Sequence, residues 1–228
     1  MVSLPFATSY LESGGRQIRV ETFPAESKAT ISVIVLHGAN GLRYANPAIY
    51  GAVQYLAVNG LATHLVHYFD RTGTVYADDR TIHASFGDWC EVVADAITWV
   101  KRTFPQRRLA IFGHSLGGYL ASVHAIRNEH VEAAVILSGG LDENSARAVA
   151  RTPPVLILHG SSDTRVALTE ARRLEAAMAA TRRRPVVHVY SGEGHLLQMA
   201  SYVDAIRRAT EFIVEHLGEN RTRADLGE

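Results

Sequence analysis

Six short runs of apolar and β-branched residues recur along this chain without the polar–apolar alternation of a half-exposed strand. Runs of this kind are typical of strands that are covered on both faces, as in a parallel sheet. No other feature constrains the fold as strongly, because such a sheet needs a layer of helices on each side. The runs occupy residues 31–36, 61–67, 109–112, 133–137, 155–158 and 186–190.

Helix-like stretches separate these runs. The clearest covers residues 84–102, where apolar side chains recur at three- and four-residue spacing and form one stripe. Similar stretches cover residues 47–58, 116–127, 167–180 and 197–217. Near the start of the chain, two extended segments flank Gly14 and Gly15, whose freedom to adopt positive φ angles predicts an antiparallel hairpin. The alternation that follows predicts an α/β fold with a mostly parallel sheet of about eight strands and helices on both faces.

The charge balance narrows the class of partner. The 228 residues include 23 basic and 23 acidic side chains, so the formal net charge is zero and no broad basic field favours a polyanion. We expect a small-molecule substrate, no nucleic-acid or membrane partner, and a monomer or homodimer. We also expect one domain over residues 1–217 with a polar tail over residues 218–228. The sequence shows no signal-peptide pattern and no apolar run of membrane length, which predicts a cytoplasmic protein.

The sequence contains few candidate sites for a metal or a cofactor. Cys90 is the only cysteine, which excludes an internal disulfide and a cysteine-based zinc site. His64 and His67 lie three residues apart in a predicted strand, so their side chains should point to opposite faces. We therefore predict no metal site and no cofactor.

The segment Gly113-His114-Ser115-Leu116-Gly117 follows one predicted strand and opens a predicted helix. It matches the G-x-S-x-G pattern of a nucleophile elbow, in which a sharp turn exposes a serine hydroxyl at the end of a strand. The two glycines let the strand and the helix approach closely. We predict Ser115 as a nucleophile; the alternative is a glycine-rich turn with an incidental serine. The patterns of a dinucleotide-binding loop and of a P-loop do not occur here.

A serine hydroxyl needs a base to take its proton, and the base needs a carboxylate to fix its tautomer. Asp163 and His195 each follow a predicted strand, so both are expected at the same edge of the sheet as Ser115. We predict His195 as the base and Asp163 as the acid. Asp142, after the preceding strand, is the alternative acid, and Asp163 would then be only a helix cap.

The oxyanion that forms on attack requires two backbone N–H donors. One is expected from Leu116, the residue after the nucleophile. The other is expected from the loop after residues 31–36, where Ala39 is the predicted donor and Asn40 the alternative. We assign His37, at the start of that loop, to bracing it.

With these residues in view, the chain resembles the α/β-hydrolases and, within them, the dienelactone hydrolase family. The resemblance covers nearly the whole chain and rests on four motifs: His37-Gly38, the elbow at 113–118, His159-Gly160 followed by Asp163 and Val166, and Gly194-His195. The order Ser115, Asp163, His195 is also the order of that fold. The name-giving enzymes have a cysteine where Ser115 stands and a glutamate near His37, so the resemblance implies a serine esterase. Cys90, in a predicted helix, is interpreted as a core thiol.

Short loops are expected to bound the pocket. Only residues 138–154 separate two consecutive strands, which leaves no room for a cap domain. The side chains that we expect to contact substrate are Asn40, Tyr44, Tyr68, Arg71 and His114, of which Tyr44, Tyr68 and Arg71 could bind a polar or anionic acyl group. We predict a serine hydrolase that cleaves small carboxylic esters or lactones through an acyl-enzyme. A thioesterase, a small peptidase and a non-catalytic ligand-binding protein are the alternatives.

Overall fold

The computed structural model describes residues 5–25, 29–42, 46–141, 145, 152–179 and 184–218. Its strands are β1 (Ala7–Ser13), β2 (Arg16–Phe23), β3 (Ile31–Leu36), β4 (Ala62–Val66), β5 (Arg108–His114), β6 (Ala133–Leu137), β7 (Val155–Gly160) and β8 (Val186–Tyr190). Over the described residues they form one eight-stranded sheet in the order β1-β2-β4-β3-β5-β6-β7-β8. β2 runs antiparallel to both of its neighbours, and the pairs from β4 to β8 are parallel. The predicted fold class is confirmed.

The β1–β2 hairpin turns at the predicted glycines. Gly14 and Gly15 have φ angles of +51° and +75°, a region that residues with a Cβ adopt at a cost. Two consecutive positive φ angles match the twist of the flanking strands and close a tight connection. Ser13 consequently pairs with Arg16 across the turn.

Helices cover both faces of the sheet. They are α1 (Pro47–Val58), α2 (Asp79–Thr103), α3 (Leu116–Arg127), α4 (Leu168–Ala179) and α5 (Met199–Leu217). All six residues of β3 are buried. Ile34 and Leu36 contribute to a core with α2, α3 and α4, whereas Val33 and Val35 contribute to a second core with α1 and α5. This double burial explains why the strand shows no alternation in the sequence.

α2 begins earlier than its apolar stripe indicates, at Asp79 rather than at residue 84. The side chain of Asp78 accepts a hydrogen bond from the Thr81 N–H at 2.8 Å and caps the helix. The extra residues carry few core side chains, so hydrophobic periodicity does not reveal them. They project instead toward the carboxyl edge of the sheet.

The connection from β6 to β7 is short, as predicted. It spans residues 138–154, of which the structure describes 138–141, 145 and 152–154. Residues 219–228, most of the predicted polar tail, lie outside the described residues. Within the described ranges, no helix is long and apolar enough to cross a membrane.

Candidate active site

Ser115 lies at the junction of β5 and α3, in a strained turn. Its backbone has φ +56° and ψ −119°, which is unusual for a residue with a side chain. A Cβ on Gly113 would lie 2.0 Å from the Gly117 carbonyl oxygen, and a Cβ on Gly117 would lie 2.4 Å from the Leu36 carbonyl oxygen. Only glycine fits at either position. The packing of strand against helix therefore explains the glycines of the motif.

His195 and Asp163 lie at the same edge of the sheet, in the loops after β8 and β7. The Ser115 Oγ and His195 Nε2 atoms are 2.9 Å apart, and His195 Nδ1 is 2.8 Å from Asp163 Oδ2. A carboxylate oxygen can only accept here, so Nδ1 carries the proton and Nε2 is left to accept from the Ser115 hydroxyl. The structure thus brings together the three residues predicted as nucleophile, base and acid.

The second oxygen of Asp163 has a separate task. Oδ1 accepts hydrogen bonds from the backbone N–H groups of Arg165 at 2.9 Å and Val166 at 2.8 Å. The capping role that was the alternative for Asp163 is therefore present together with the contact to His195. The rival acid, Asp142, lies outside the described residues.

A second histidine, His159, lies behind Asp163. Its side chain is fully buried; Nε2 donates to the Val166 carbonyl oxygen at 2.9 Å and lies 3.5 Å from Asp163 Oδ2. His159 therefore holds the ends of the turn that presents the carboxylate. Sequence reasoning used His159-Gly160 only as part of a family motif and missed this positioning contact.

The backbone around His195 is held from two sides. Ser138, at the end of β6, has a φ of +50°, and its hydroxyl donates to the His195 carbonyl oxygen at 3.4 Å. Glu193 accepts from the Gln198 N–H at 2.8 Å and from the Ser201 hydroxyl at 2.6 Å, which ties the loop to the start of α5. These contacts limit the positions that the His195 ring can take. Neither Ser138 nor Glu193 matches a known motif, so their roles could not be predicted from the sequence.

The predicted oxyanion donors flank Ser115. Leu116 is the first residue of α3, where backbone N–H groups have no acceptor within the helix. Ala39 lies in the loop after β3, and a Cβ on the adjacent Gly38 would lie 3.2 Å from the Ser115 Cβ. This loop therefore passes close to the nucleophile. Leu116 and Ala39 line the same cavity as Ser115.

His37 and Tyr68 brace that loop from below. Their rings stack with centroids 4.2 Å apart, His37 Nδ1 donates to the Gly38 carbonyl oxygen at 2.8 Å, and the Tyr68 hydroxyl donates to the His37 carbonyl oxygen at 2.7 Å. Burial lowers the pKa of His37 to about 4, so the ring is neutral at physiological pH. Tyr68 is fully buried. It supports the loop and does not take the substrate-binding place suggested from the sequence.

Two open cavities meet at Ser115. The first, which we call the α2–α3 cavity, measures about 610 Å³ and lies beside Leu116 and Tyr119. The second, the His195 cavity, measures about 670 Å³ and includes His195 and His114. Ala39, Ser115 and Arg165 line both cavities. The nucleophile therefore lies where the two cavities adjoin.

The remaining residues predicted to contact substrate have different fates. Asn40 and His114 line the His195 cavity. The His114 ring lies 5.7 Å from that of His195, and burial lowers its pKa to about 4, so it adds no charge beside the base. Tyr44 lies outside the described residues. Arg71 lines neither cavity at Ser115. It pairs instead with Asp88 at 3.5 Å and Glu91 at 3.2 Å on α2.

Sequence reasoning missed Arg165, which the structure places at the mouth of both cavities. Its guanidinium pairs with Asp79, the first residue of α2. The pair spans the cleft, and both side chains are largely exposed. The sequence contains only part of the information needed to find Arg165. Arg165 lies two residues after the predicted acid, but its partner Asp79 lies in the first turn of α2, which the hydrophobic periodicity does not reveal. Among the described residues no cluster of metal-ligating side chains occurs.

Comparison with solved structures supports the same architecture. A dienelactone hydrolase from Anabaena variabilis superposes with a TM-score of 0.75 at 20% identity, over 94% of this chain and 99% of that one. An esterase from Pyrococcus furiosus gives 0.76 at 15% identity, over 95% and 94% of the two chains. An acylaminoacyl peptidase from Pyrococcus horikoshii gives 0.77 at 16% identity, over 96% of this chain but 43% of the peptidase.

The sequence itself carries the family assignment. A comparison with curated protein sequences gives no match. The model of the dienelactone hydrolase family, however, matches residues 20–211. That range extends from β2 into α5 and includes Ser115, Asp163 and His195. The chain belongs to the dienelactone hydrolase family.

Proposed function

We propose that this hydrolase-family protein is a serine hydrolase that cleaves small carboxylic esters or lactones through an acyl-enzyme. One observation carries the proposal: an unbroken path of hydrogen bonds runs from Ser115 Oγ through His195 to Asp163, with distances of 2.9 and 2.8 Å. Family membership and the esterase folds that the chain resembles support hydrolysis in general. The short loops around Ser115 favour small substrates.

In the proposed mechanism, His195 Nε2 takes the hydroxyl proton as Ser115 Oγ attacks the carbonyl carbon. The N–H groups of Leu116 and Ala39 donate to the oxyanion. His195 then gives its proton to the leaving oxygen, the carbon–oxygen bond breaks, and the acyl group stays on Ser115. Water then attacks the acyl-enzyme with His195 again as base; the bond from the acyl carbon to Ser115 Oγ breaks, His195 returns the proton to Oγ, and the acid is released.

The groups that carry out these steps are already in position before substrate binds. Asp163 Oδ1 is held by two backbone donors, so Oδ2 faces His195 without rearrangement. The elbow fixes Ser115 beside the helix N-terminus, where the oxyanion forms. Preorganised donors of this kind supply much of the rate enhancement in acyl transfer, because they need no reorganisation during the reaction.

A fluorophosphonate probe tests the proposal, since it forms a covalent bond only with an activated serine. We expect stoichiometric labelling at Ser115, identified by mass spectrometry of the labelled peptide. Ser115→Ala should abolish labelling and lower kcat for p-nitrophenyl acetate about 10³- to 10⁶-fold. Cys90→Ala is the matched control for the nucleophile and should change neither. Labelling that depends on Cys90, or a Ser115→Ala variant with most of its activity, would refute the proposal.

A further inference from the structure

The two cavities at Ser115 are chemically unequal, and the inequality assigns them to the two halves of an ester. This inference rests on the proposed function. When the acyl-enzyme forms, the leaving oxygen must receive a proton from His195 Nε2, so the leaving group has to lie on the His195 side of the nucleophile. His195 lines one cavity, whereas Leu116 and Tyr119 line the other. The acyl group is therefore left with the α2–α3 cavity.

The walls of the α2–α3 cavity suit an uncharged acyl chain. Ile82 and Phe86 of α2, Leu116 of α3 and Val166 contribute apolar side chains to its lining, beside the polar side chains of His83 and Tyr119. The charged side chains in the lining, Asp79 and Arg165, pair with each other across the mouth. An anionic acyl group in this cavity would be repelled by the Asp79 carboxylate, whereas an apolar chain leaves the pair intact.

Gly87 is the exceptional residue in this wall. It lies in the interior of α2, where glycine weakens a helix relative to alanine. Its φ is not in the positive region, and a Cβ placed on it would meet no atom within 4 Å. Neither the backbone nor local packing therefore requires glycine. The open space that a side chain would occupy borders the cavity.

We propose that Gly87 sets the size of acyl group that the enzyme accepts, by leaving open the part of the α2–α3 cavity that any larger side chain would fill. Ile82 and Phe86 lie one turn apart on α2, His83 and Gly87 form the neighbouring pair one turn apart, and all four line the cavity, so Gly87 extends the α2 side of the wall. The residue at position 87, and not the surroundings of Ser115, thus determines how long an acyl chain the cavity can hold.

Gly51 provides a matched control. It lies in the interior of α1, its φ is likewise outside the positive region, and a Cβ on it would also meet no atom within 4 Å. It lines none of the cavities described above. Leucine at either position adds the same side chain to a helix, and only one of the two additions reaches the proposed acyl site.

The experiment measures kcat/KM for p-nitrophenyl acetate, butyrate, hexanoate and octanoate with the wild type, Gly87→Leu, Gly87→Ala and Gly51→Leu. We expect Gly87→Leu to lower the octanoate value about 10- to 100-fold and to leave acetate within about threefold. Gly87→Ala should lie between, and Gly51→Leu should match the wild type. Circular dichroism and fluorophosphonate labelling confirm that each variant is folded and carries an active serine.

A second series holds the acyl group as acetate and enlarges the leaving alcohol from methyl to phenyl to naphthyl. Gly87→Leu should not change the order of these rates. An unchanged acyl-chain profile, or a response in the leaving-group series instead, overturns the inference while leaving the serine hydrolase in place. A wild type that neither labels nor hydrolyses any of the esters overturns the proposed function, and the inference with it.

Discussion

Asp163 shows how one side chain can satisfy two interpretations that sequence reasoning treats as rivals. Oδ1 binds the backbone N–H groups of Arg165 and Val166, and Oδ2 binds His195. The residue type and its place after a strand are compatible with a cap and with a catalytic acid. Only the direction of the two oxygens separates the roles, and it depends on how the loops after β7 and β8 meet.

Asp163→Asn tests the acid at the scale of a single atom. The amide oxygen can still accept from Arg165 and Val166, so the turn should hold, but the amide group facing His195 permits the wrong tautomer of the ring. We expect kcat for p-nitrophenyl acetate to fall by about 10⁴, as in the serine-protease template, with little change in melting temperature. Asp70→Asn, which changes a carboxylate that also accepts from a backbone N–H, should stay within about threefold. If Asp142→Asn loses kcat to this extent and Asp163→Asn does not, the catalytic acid is Asp142.

His159 permits a second prediction at this scale. His159→Leu removes the donor to the Val166 carbonyl oxygen, so the Asp163 turn should loosen. One lost hydrogen bond corresponds to about 1 kcal/mol, and we expect kcat to fall about fivefold with KM unchanged, because His159 lines neither cavity at Ser115. His159→Gln keeps a donor on a side chain of similar reach and should recover most of the loss. Wild-type kcat in folded His159→Leu would exclude a positioning role.

At the scale of elements, periodicity predicts what a helix buries and not where the helix begins. The stripe of α2 starts near residue 84, but the cap at Asp78 starts the helix at Asp79. The added turn carries Asp79 and Ile82, which line the α2–α3 cavity. Because periodicity missed this turn, it missed both the true helix boundary and three of the residues that line the cavity, Asp79, Ile82 and His83.

The mostly parallel sheet and the catalytic edge could be predicted because they follow from topology. Strands that are buried on both faces are parallel and end at one edge, so residues directly after them meet there. The fates of Tyr68 and Arg71 could not be predicted, because each depends on a partner far away in sequence. Tyr68 stacks on His37, and Arg71 pairs with Asp88 on α2. Local sequence patterns do not show which residues of different elements will contact each other.

The interior glycines of α1 and α2 give a prediction about element stability. Gly51→Ala and Gly87→Ala should each raise the free energy of unfolding by about 0.5 to 1 kcal/mol, because alanine restricts the unfolded chain and neither new Cβ meets an atom within 4 Å. Urea denaturation followed by circular dichroism measures the change. We expect the free energy of unfolding to rise equally at both positions and the dependence of kcat/KM on acyl-chain length to change only at position 87. That result would show that the effect on substrate choice does not come from stability. A loss of stability at either position would mean that its glycine is required by the fold.

At the scale of the whole molecule, buried histidines link the fold to pH. Burial lowers the pKa of His37, His114 and His124 to about 4 and that of His64 to about 3. Each of these rings makes its own contacts, so protonation at any of them would disturb a different part of the packing. His64, for example, hydrogen-bonds Ser32 through Nε2 at 3.1 Å. Acid should therefore act on the fold at several places at once.

The sign of the effect follows from which state binds more protons. An unfolded histidine titrates near pH ~6.5, whereas the pKa values of the buried histidines are lower. Between these two pKa values, the unfolded chain binds protons that the folded chain does not bind. Stability is thus full above about pH 6.5 and falls as pH decreases. Each such histidine contributes a slope of up to about 1.4 kcal/mol per pH unit.

Urea denaturation at pH 7, 6 and 5 tests this linkage. We expect the free energy of unfolding to fall steadily over that range, before most carboxylates titrate. His64→Gln should lower the slope by up to one proton, whatever it does to the stability at pH 7, because glutamine cannot take up the proton that the unfolded histidine binds. His130→Gln replaces an exposed ring and should leave the slope unchanged. If His64→Gln and His130→Gln have the wild-type slope alike, burial of His64 does not couple the fold to pH.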